Sequence, residues 1–350
     1  MKAVKTHVPT VPKHPRALSL VRMKHSDLLA KVESRMAELV GDPDRDPGAR
    51  MAHEHLESGG KRLRARLALA ACEALGARAE EAVDWAAAVE LLHNASLVHD
   101  DLQDGDPTRR GKPALWARYG PAQAINAGDL LLMLPFRVLR FYPPETQAAL
   151  VQILAEHAES TARGQIRELA LSASLDKGWS DYFSAATGKT GTLFALPIRG
   201  AAAIAGLEAD KADGLAAVFR SIGVLYQLQD DLLDLFDVKG RGSRGSDLYE
   251  GRLSAVVLTH LDLHREEAPE VLKLLRTPRE VTTQEEVLRM IDRFLEGGAV
   301  RHLLDRMHSL AAKLLDSEAL RASPGIQAVA RELVQGVLAP LDVVEGGFRG

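Results

Sequence analysis

The 350-residue sequence contains a single cysteine, Cys72, so no disulfide can close within the chain. Its setting, "ALAACEAL", is that of a packed helix rather than of a reactive thiol, and a reducing, cytoplasmic environment fits. Long apolar runs are missing too. Stretches such as "DLLLMLPFRVLRF" are broken by proline or charge before the roughly 18 residues that a membrane span requires. Charge of one sign does not dominate: 44 basic and 48 acidic residues leave a net charge of −4. No overall field draws nucleic acid or an anionic membrane, and any anion site must be local. The basic start, "MKAVKTHVPTVPKHPRALSLVRMK", lacks the apolar centre of a secretory signal and reads as a loose arm over residues 1–24.

Alternating Val/Ile/Thr runs with hairpin signals are equally scarce, whereas apolar residues recur at helical spacing nearly everywhere. The pattern predicts an all-α chain with helices over 25–40, 48–58, 61–76, 79–103, 121–142, 145–173, 178–188, 190–206, 209–237, 252–262, 283–298, 299–316 and 319–340. Gly76, Gly120-Pro121, Pro143-Pro144 and Gly206 stand where helices stop or begin. No fixed-period repeat and no Gly/Ser-rich linker divides the chain, so residues 25–350 are expected to form one domain. The loop "VKGRGSRGSDLYEG" at 238–251 is the one long polar, Gly-rich interruption, a composition typical of functional lids.

Two acidic clusters stand out against this apolar background. "HDDLQD" places Asp100, Asp101 and Asp104 at the end of one apolar helix, and "QDDLLD" places Asp230, Asp231 and Asp234 at the end of another, 130 residues on. Residues four apart share a helix face, where like charges repel unless a cation neutralises them. Hard carboxylate oxygens without cysteine or paired histidine suit Mg²⁺, which is completed by water and substrate phosphates. An isolated acidic run is usually solvated surface. Two runs of identical spacing argue instead for one cavity in which divalent ions and a polyanion balance six carboxylates.

Cationic partners for such a polyanion are present. "ESGGKRLR" supplies Lys61 and Arg64 at an expected helix N-terminus, where free N–H groups also attract anions. "PTRRG" supplies Arg109 and Arg110, whose forked donors match phosphate oxygens. Lys189 and Thr190 lie in "TGKTGTLF", and Gln227 precedes the second cluster by about one turn. His93, seven residues before Asp100, falls on the same helix side. Other motifs fail. "GKT" lacks the first P-loop glycine, position 183 being Phe183, and "GRGSRG" follows a helix rather than a strand. His99-Asp100 lacks the further histidines of a metal phosphohydrolase.

Together, "GGKRLR", "HNASLVHDDLQD", "RRGKP", "AINAGDLLL", "GQIRE", "TGKTGTLF", "YQLQDDLLD" and "GSDLYEGR", in this order from about residue 45 to 260, resemble the trans-isoprenyl (polyprenyl) diphosphate synthases. The resemblance implies an all-α bundle of antiparallel helices around a deep central cavity, a homodimer, and condensation of isopentenyl diphosphate with an allylic diphosphate. It implies three Mg²⁺, with Asp100 and Asp104 as ligands of two, Asp230 as principal ligand of the third, and Asp101, Asp231 and Asp234 in support. Arg109, Lys189, Thr190 and Gln227 then correspond to allylic diphosphate contacts, and Lys61, Arg64, His93 and Arg110 to the isopentenyl diphosphate pocket. Lys239, Arg241, Arg244 and Arg252 are alternative sources of a diphosphate contact in the 239–252 loop. In this family, bulk one and two turns before the first cluster limits product length. Leu92, Ala95 and Ser96 stand there without an aromatic plug, and Met133 with Phe136 is expected to supply the floor, favouring a C20 geranylgeranyl product over C15 or longer ones. A class I terpene cyclase would carry an NxxxSxxxE-like second motif where "DDLLD" stands, and a non-catalytic partner subunit would have lost one cluster.

Overall fold

A computed structural model describes residues 25–171, 177–236 and 244–348. The expected arm at 1–24, together with Lys239 and Arg241, lies outside these residues. The described chain is helical: α1 Ser26–Val40, α2 Pro47–Leu56, α3 Leu63–Ala74, α4 Val83–Gln103, α5 Leu115–Tyr119, α6 Pro121–Val138, α7 Pro144–Leu169, α8 Trp179–Ala186 and α9 Thr192–Ile204. The second half continues with α10 Ala209–Asp234, α11 Ser246–Tyr249, α12 Ala255–Leu263, α13 Ala268–Arg276, α14 Gln284–Glu296, α15 Ala299–Leu315, α16 Glu318–Arg321, α17 Pro324–Leu338 and α18 Leu341–Phe348. Among the described residues, β-structure is confined to a hairpin of two short strands, β1 Thr108–Arg109 against β2 Lys112–Pro113, antiparallel.

Local chemistry explains many of these ends. Asp46 accepts a hydrogen bond from the Gly48 N–H at 2.8 Å just before Pro47 opens α2, and Thr283 with Glu286 forms a reciprocal capping box on α14. The helix expected over 319–340 is instead split at Ser323–Pro324, because proline cannot continue a helix. Two helices are central. α4 packs against α1, α3, α6 and α9, while α10 packs against α9, α12, α15, α16 and α17. Both are apolar over most of their circumference, as burial on several sides requires. One contiguous apolar core runs from Leu28 to Val344.

Between α8 and α9 the helix widens into a π-type turn, Thr187–Gly191, a feature that single-turn insertions place at functional sites. Neighbouring backbones clamp this turn from two sides. A Cβ on Gly164 of α7 would lie 2.1 Å from the Lys189 nitrogen, and one on Gly223 of α10 would lie 2.6 Å from the Gly191 Cα. Only glycine permits such approach. Alanine is the better helix former by up to about 1 kcal/mol, yet Gly164→Ala is expected to lower thermal stability by roughly 1–3 kcal/mol through overpacking. A melting curve checks the sign: a rise in Tm would show that the clamp is not close-packed.

Candidate active site

The ends of α4 and α10 open into one cavity of about 740 Å³. Asp100, Asp104, Asp230 and Asp231 line it, together with Arg64, His93, Arg109, Arg110, Lys189, Thr190 and Gln227. The two clusters, identical in sequence spacing, are not used identically. Asp101 turns away from the cavity, 2% exposed, and takes the Arg109 Nε at 2.7 and 2.8 Å on its two oxygens. Asp234, 3% exposed, accepts from the Ser246 hydroxyl at 2.8 Å and the Asp247 N–H at 3.0 Å. These two carboxylates, expected to support metal ions, instead orient an arginine and anchor α11. Neither is a cavity-lining residue.

Asp231 lines the cavity but is already well supplied with donors: the Tyr182 hydroxyl, Gln227 Nε2 and the Ala255 N–H, each at 2.8 Å. Burial nevertheless holds its pKa above the usual carboxylate range, against the pull of those three hydrogen bonds. Gln227 also accepts from the Thr190 hydroxyl at 2.7 Å. A relay thus runs from the π turn through Gln227 to the second cluster, and Gln227 acts on Asp231 directly.

Asp100 has a different environment. Burial pushes its carboxyl up to about 6, Lys189 opposes this, and Asp104 and Glu168 add to it. Lys189 Nζ stands 3.6 Å from Asp100 Oδ1 and closer still to Glu168 Oε2. Burial disfavours the lysine charge, but Asp100, Glu168 and Asp104 outweigh it and raise its pKa. Asp104 is held by Arg252 Nη2 at 2.6 Å, and Arg252 Nε also reaches Glu250 at 2.8 Å. Among the described loop cations, Arg252 crosses from the second cluster's loop to the first cluster.

The anion-binding side departs from expectation in two respects. Two donors of the α3 N-terminus are already taken, because the buried Glu90 accepts the Arg64 and Ala65 N–H groups at 3.1 and 3.0 Å. Lys61 is not a cavity-lining residue; Arg64, three positions on, faces inward, with its guanidinium 5.3 Å above the Phe194 ring. Arg110 holds a left-handed backbone, φ 52°, and Arg62 does the same at φ 47°, a strain that clusters at functional sites. The Arg110 guanidinium lies against Gly60, where an added Cβ would meet Nη1 at 2.7 Å. Gly60, directly before Lys61, therefore makes room for an arginine. His93 keeps its pKa well below the ordinary value through burial, reinforced by Arg64, Arg109 and Arg110. It is a neutral imidazole whose Nδ1 has no partner.

At the apolar end, Leu92, Ala95 and Ser96 line the cavity as expected. Met133 does not. It is 55% exposed on the outer face of α6, and Leu132 takes its place in the lining because the one-residue step rotates the side chain by about 100°. Phe136 is not in the lining either. Reading the sequence missed Glu168, Tyr182 and Asp247. Glu168 sits in the quoted "GQIRE" and was within reach, whereas nothing local marks Tyr182.

The Asp100 shift carries a stability consequence. A carboxyl protonated more readily in the folded than in the unfolded chain makes stability fall as pH rises from about 4 to about 6. Asp100→Asn, which mimics the protonated form, is expected to stabilise the metal-free protein at pH 7.5 by on the order of 2–3 kcal/mol, with the gain vanishing below pH 4. Thermal melts in EDTA at the two pH values test this; an unchanged or lowered Tm at pH 7.5 would contradict it.

Comparison with known proteins agrees with this geometry. The polyprenyl synthetase family model matches residues 48–293. A geranylgeranyl diphosphate synthase of Methanosarcina mazei is 34% identical over 58% of this chain and 64% of its own length. A farnesyl diphosphate synthase of Mycobacterium bovis is 38% identical over 51% of this chain and 49% of its own. The chain thus spans about half to two thirds of the length of these curated relatives. A solved polyprenyl synthase from Caulobacter crescentus, complexed with calcium and isoprenyl diphosphate, superposes with a TM-score of 0.78 at 26% identity, covering 95% of this chain and 98% of that one. With the family model spanning both aspartate clusters and the cavity between them, the chain belongs to the polyprenyl synthetase family.

Proposed function

We propose that the protein is a prenyltransferase that joins isopentenyl diphosphate to an allylic diphosphate, head to tail, and releases a longer trans-prenyl diphosphate, C20 being the favoured product. The observation that carries this reading is one cavity with carboxylates and cations at its head and apolar side chains at its tail. The donor set fits Mg²⁺: Asp100, Asp104 and Asp230 offer hard carboxylate oxygens to one cavity, without cysteine among its lining residues. Three ions are proposed, held by these residues with Asp231 beside them. When bound, Mg²⁺ supplies charge neutralisation to the departing diphosphate.

The chain's own residues do the rest. Lys189 and Arg109 flank the first cluster and stabilise negative charge as the allylic C–O bond breaks. Arg64, Arg110 and neutral His93 hold the second diphosphate, so that the isopentenyl double bond faces the nascent cation. Leu92, Ala95, Leu132 and Leu193 keep water away while the new C–C bond forms. A proton is then lost to the released diphosphate. No side-chain nucleophile is required. Small residues at Ala95 and Ser96 leave the tail end open, which supports C20 over C15. A homodimer is supported by the exposed apolar side chains Ile125 and Met133 on α6 and Phe141 in the turn after it, at 46%, 55% and 50%. No described helix is long and apolar enough to cross a membrane, and a cytoplasmic enzyme fits.

Incubating purified protein with Mg²⁺, labelled isopentenyl diphosphate and dimethylallyl, geranyl or farnesyl diphosphate tests the assignment; absence of any elongated product would refute it. Asp100→Ala and Asp230→Ala are each expected to reduce kcat by at least about 10²–10³-fold with the fold retained by circular dichroism. Ala95→Phe should shorten the product, as read by chromatography of the chain lengths. An unchanged length distribution would place the wall elsewhere.

A further inference from the structure

The segment "HLDLHREE", at the far end of α12 from the cavity, brings His264, Glu266 and Glu267 together so that one ligand atom of each lies within 4.8 Å of the others. The two histidines at 260 and 264 are one turn apart, with ring centroids separated by 4.9 Å. The proton positions follow from the partners. His264 Nε2 meets the Gly297 carbonyl oxygen at 2.8 Å, and a carbonyl can only accept, so Nε2 carries the hydrogen. In the neutral ring the Nδ1 lone pair then faces the Glu266 carboxylate, 3.7 Å away, acceptor against acceptor. Gly297 makes this placement possible: an added Cβ there would lie 2.8 Å from the same Nε2. His260, 1% exposed, directs Nε2 at Glu267 Oε2 at 3.1 Å and so fixes that carboxylate.

A backbone carbonyl behind a ligating histidine and an imidazole behind a ligating carboxylate are the outer supports that metal sites use. We propose that His264 Nδ1, Glu266 and Glu267 bind a transition-metal ion of the Zn²⁺ class, with His260 orienting Glu267. Mixed imidazole and carboxylate donors select such an ion over Mg²⁺. Ligands of tetrahedral Zn²⁺ lie about 3.3 Å apart, so modest closure suffices, and Glu266, 75% exposed, is free to swing inward. Arg293 contacts Glu267 at 3.2 Å but is nearer Glu270, at 2.5 Å, to which it can retire. The ion would brace α12, whose first residue donates its N–H to Asp231 at 2.8 Å. Its role is structural and separate from the cavity.

The test is Zn²⁺ titration of the full chain against a chromophoric chelator, in excess Mg²⁺ to occupy the aspartate clusters. One equivalent is expected to bind wild type, with affinity falling at least about 10-fold in both His264→Ala and Glu266→Gln. Glu266→Gln alters an exposed side chain, so it reports on binding even if His264→Ala unfolds, and its prenyl-transfer rate with Mg²⁺ should match wild type. No Zn²⁺ uptake by wild type, or equal uptake by wild type and Glu266→Gln, would overturn the proposal.

Discussion

Everything at the head of the cavity is governed by the cost of gathering carboxylates in a partly desolvated space. Like charges brought together there raise each other's pKa and must be offset by cations or donors. The described chain meets this demand differently at each residue. Asp101 has Arg109, Asp104 has Arg252, Asp231 has three neutral donors, and Asp234 has a hydroxyl and a backbone N–H. Asp100 has Lys189, itself shared with Glu168, and burial still pushes its carboxyl up to about 6. Under the proposed function, stability and activity pull in opposite directions at that residue, since the charge that would let it hold a cation is the charge that burial opposes.

A repeated DDxxD spacing therefore identifies the site without dividing its labour. The spacing is a property of the helix and guarantees only that the first and last aspartates share a face. Which carboxylate looks into the cavity depends on what the neighbouring elements present. β1 brings Arg109 back beneath Asp101, and the turn into α11 brings Ser246 beneath Asp234. Those partners lie 8 and 12 residues away, in segments without helical periodicity. The sequence pattern has no purchase on them.

The same distinction holds for the fold. Long amphipathic or wholly apolar segments such as α4, α7 and α10 are legible because burial of a face imposes a period. Short helices are not: α5, α11 and α16 span one turn or little more, too few residues to show periodicity. The π turn at Thr187–Gly191 is invisible for another reason. It is made by backbone contacts with α7 and α10, which its own Gly188 and Gly191 permit but which also need Gly164 and Gly223, distant in sequence, to face them. The Met133 expectation fails at finer grain, because a one-residue shift around a helix is within the uncertainty of any helical register read from sequence.

The glycine clamp on that turn separates two kinds of adaptability. Lys189 and Thr190 are located by main chain pressed against main chain, with no side chain in between whose size could be traded. Leu92, Ala95 and Ser96 are located on one face of α4, where volume can change a methyl group at a time. On the proposed function, a lineage of such proteins would be free to drift in the length of hydrocarbon it accommodates while the chemistry at the other end stays mechanically fixed.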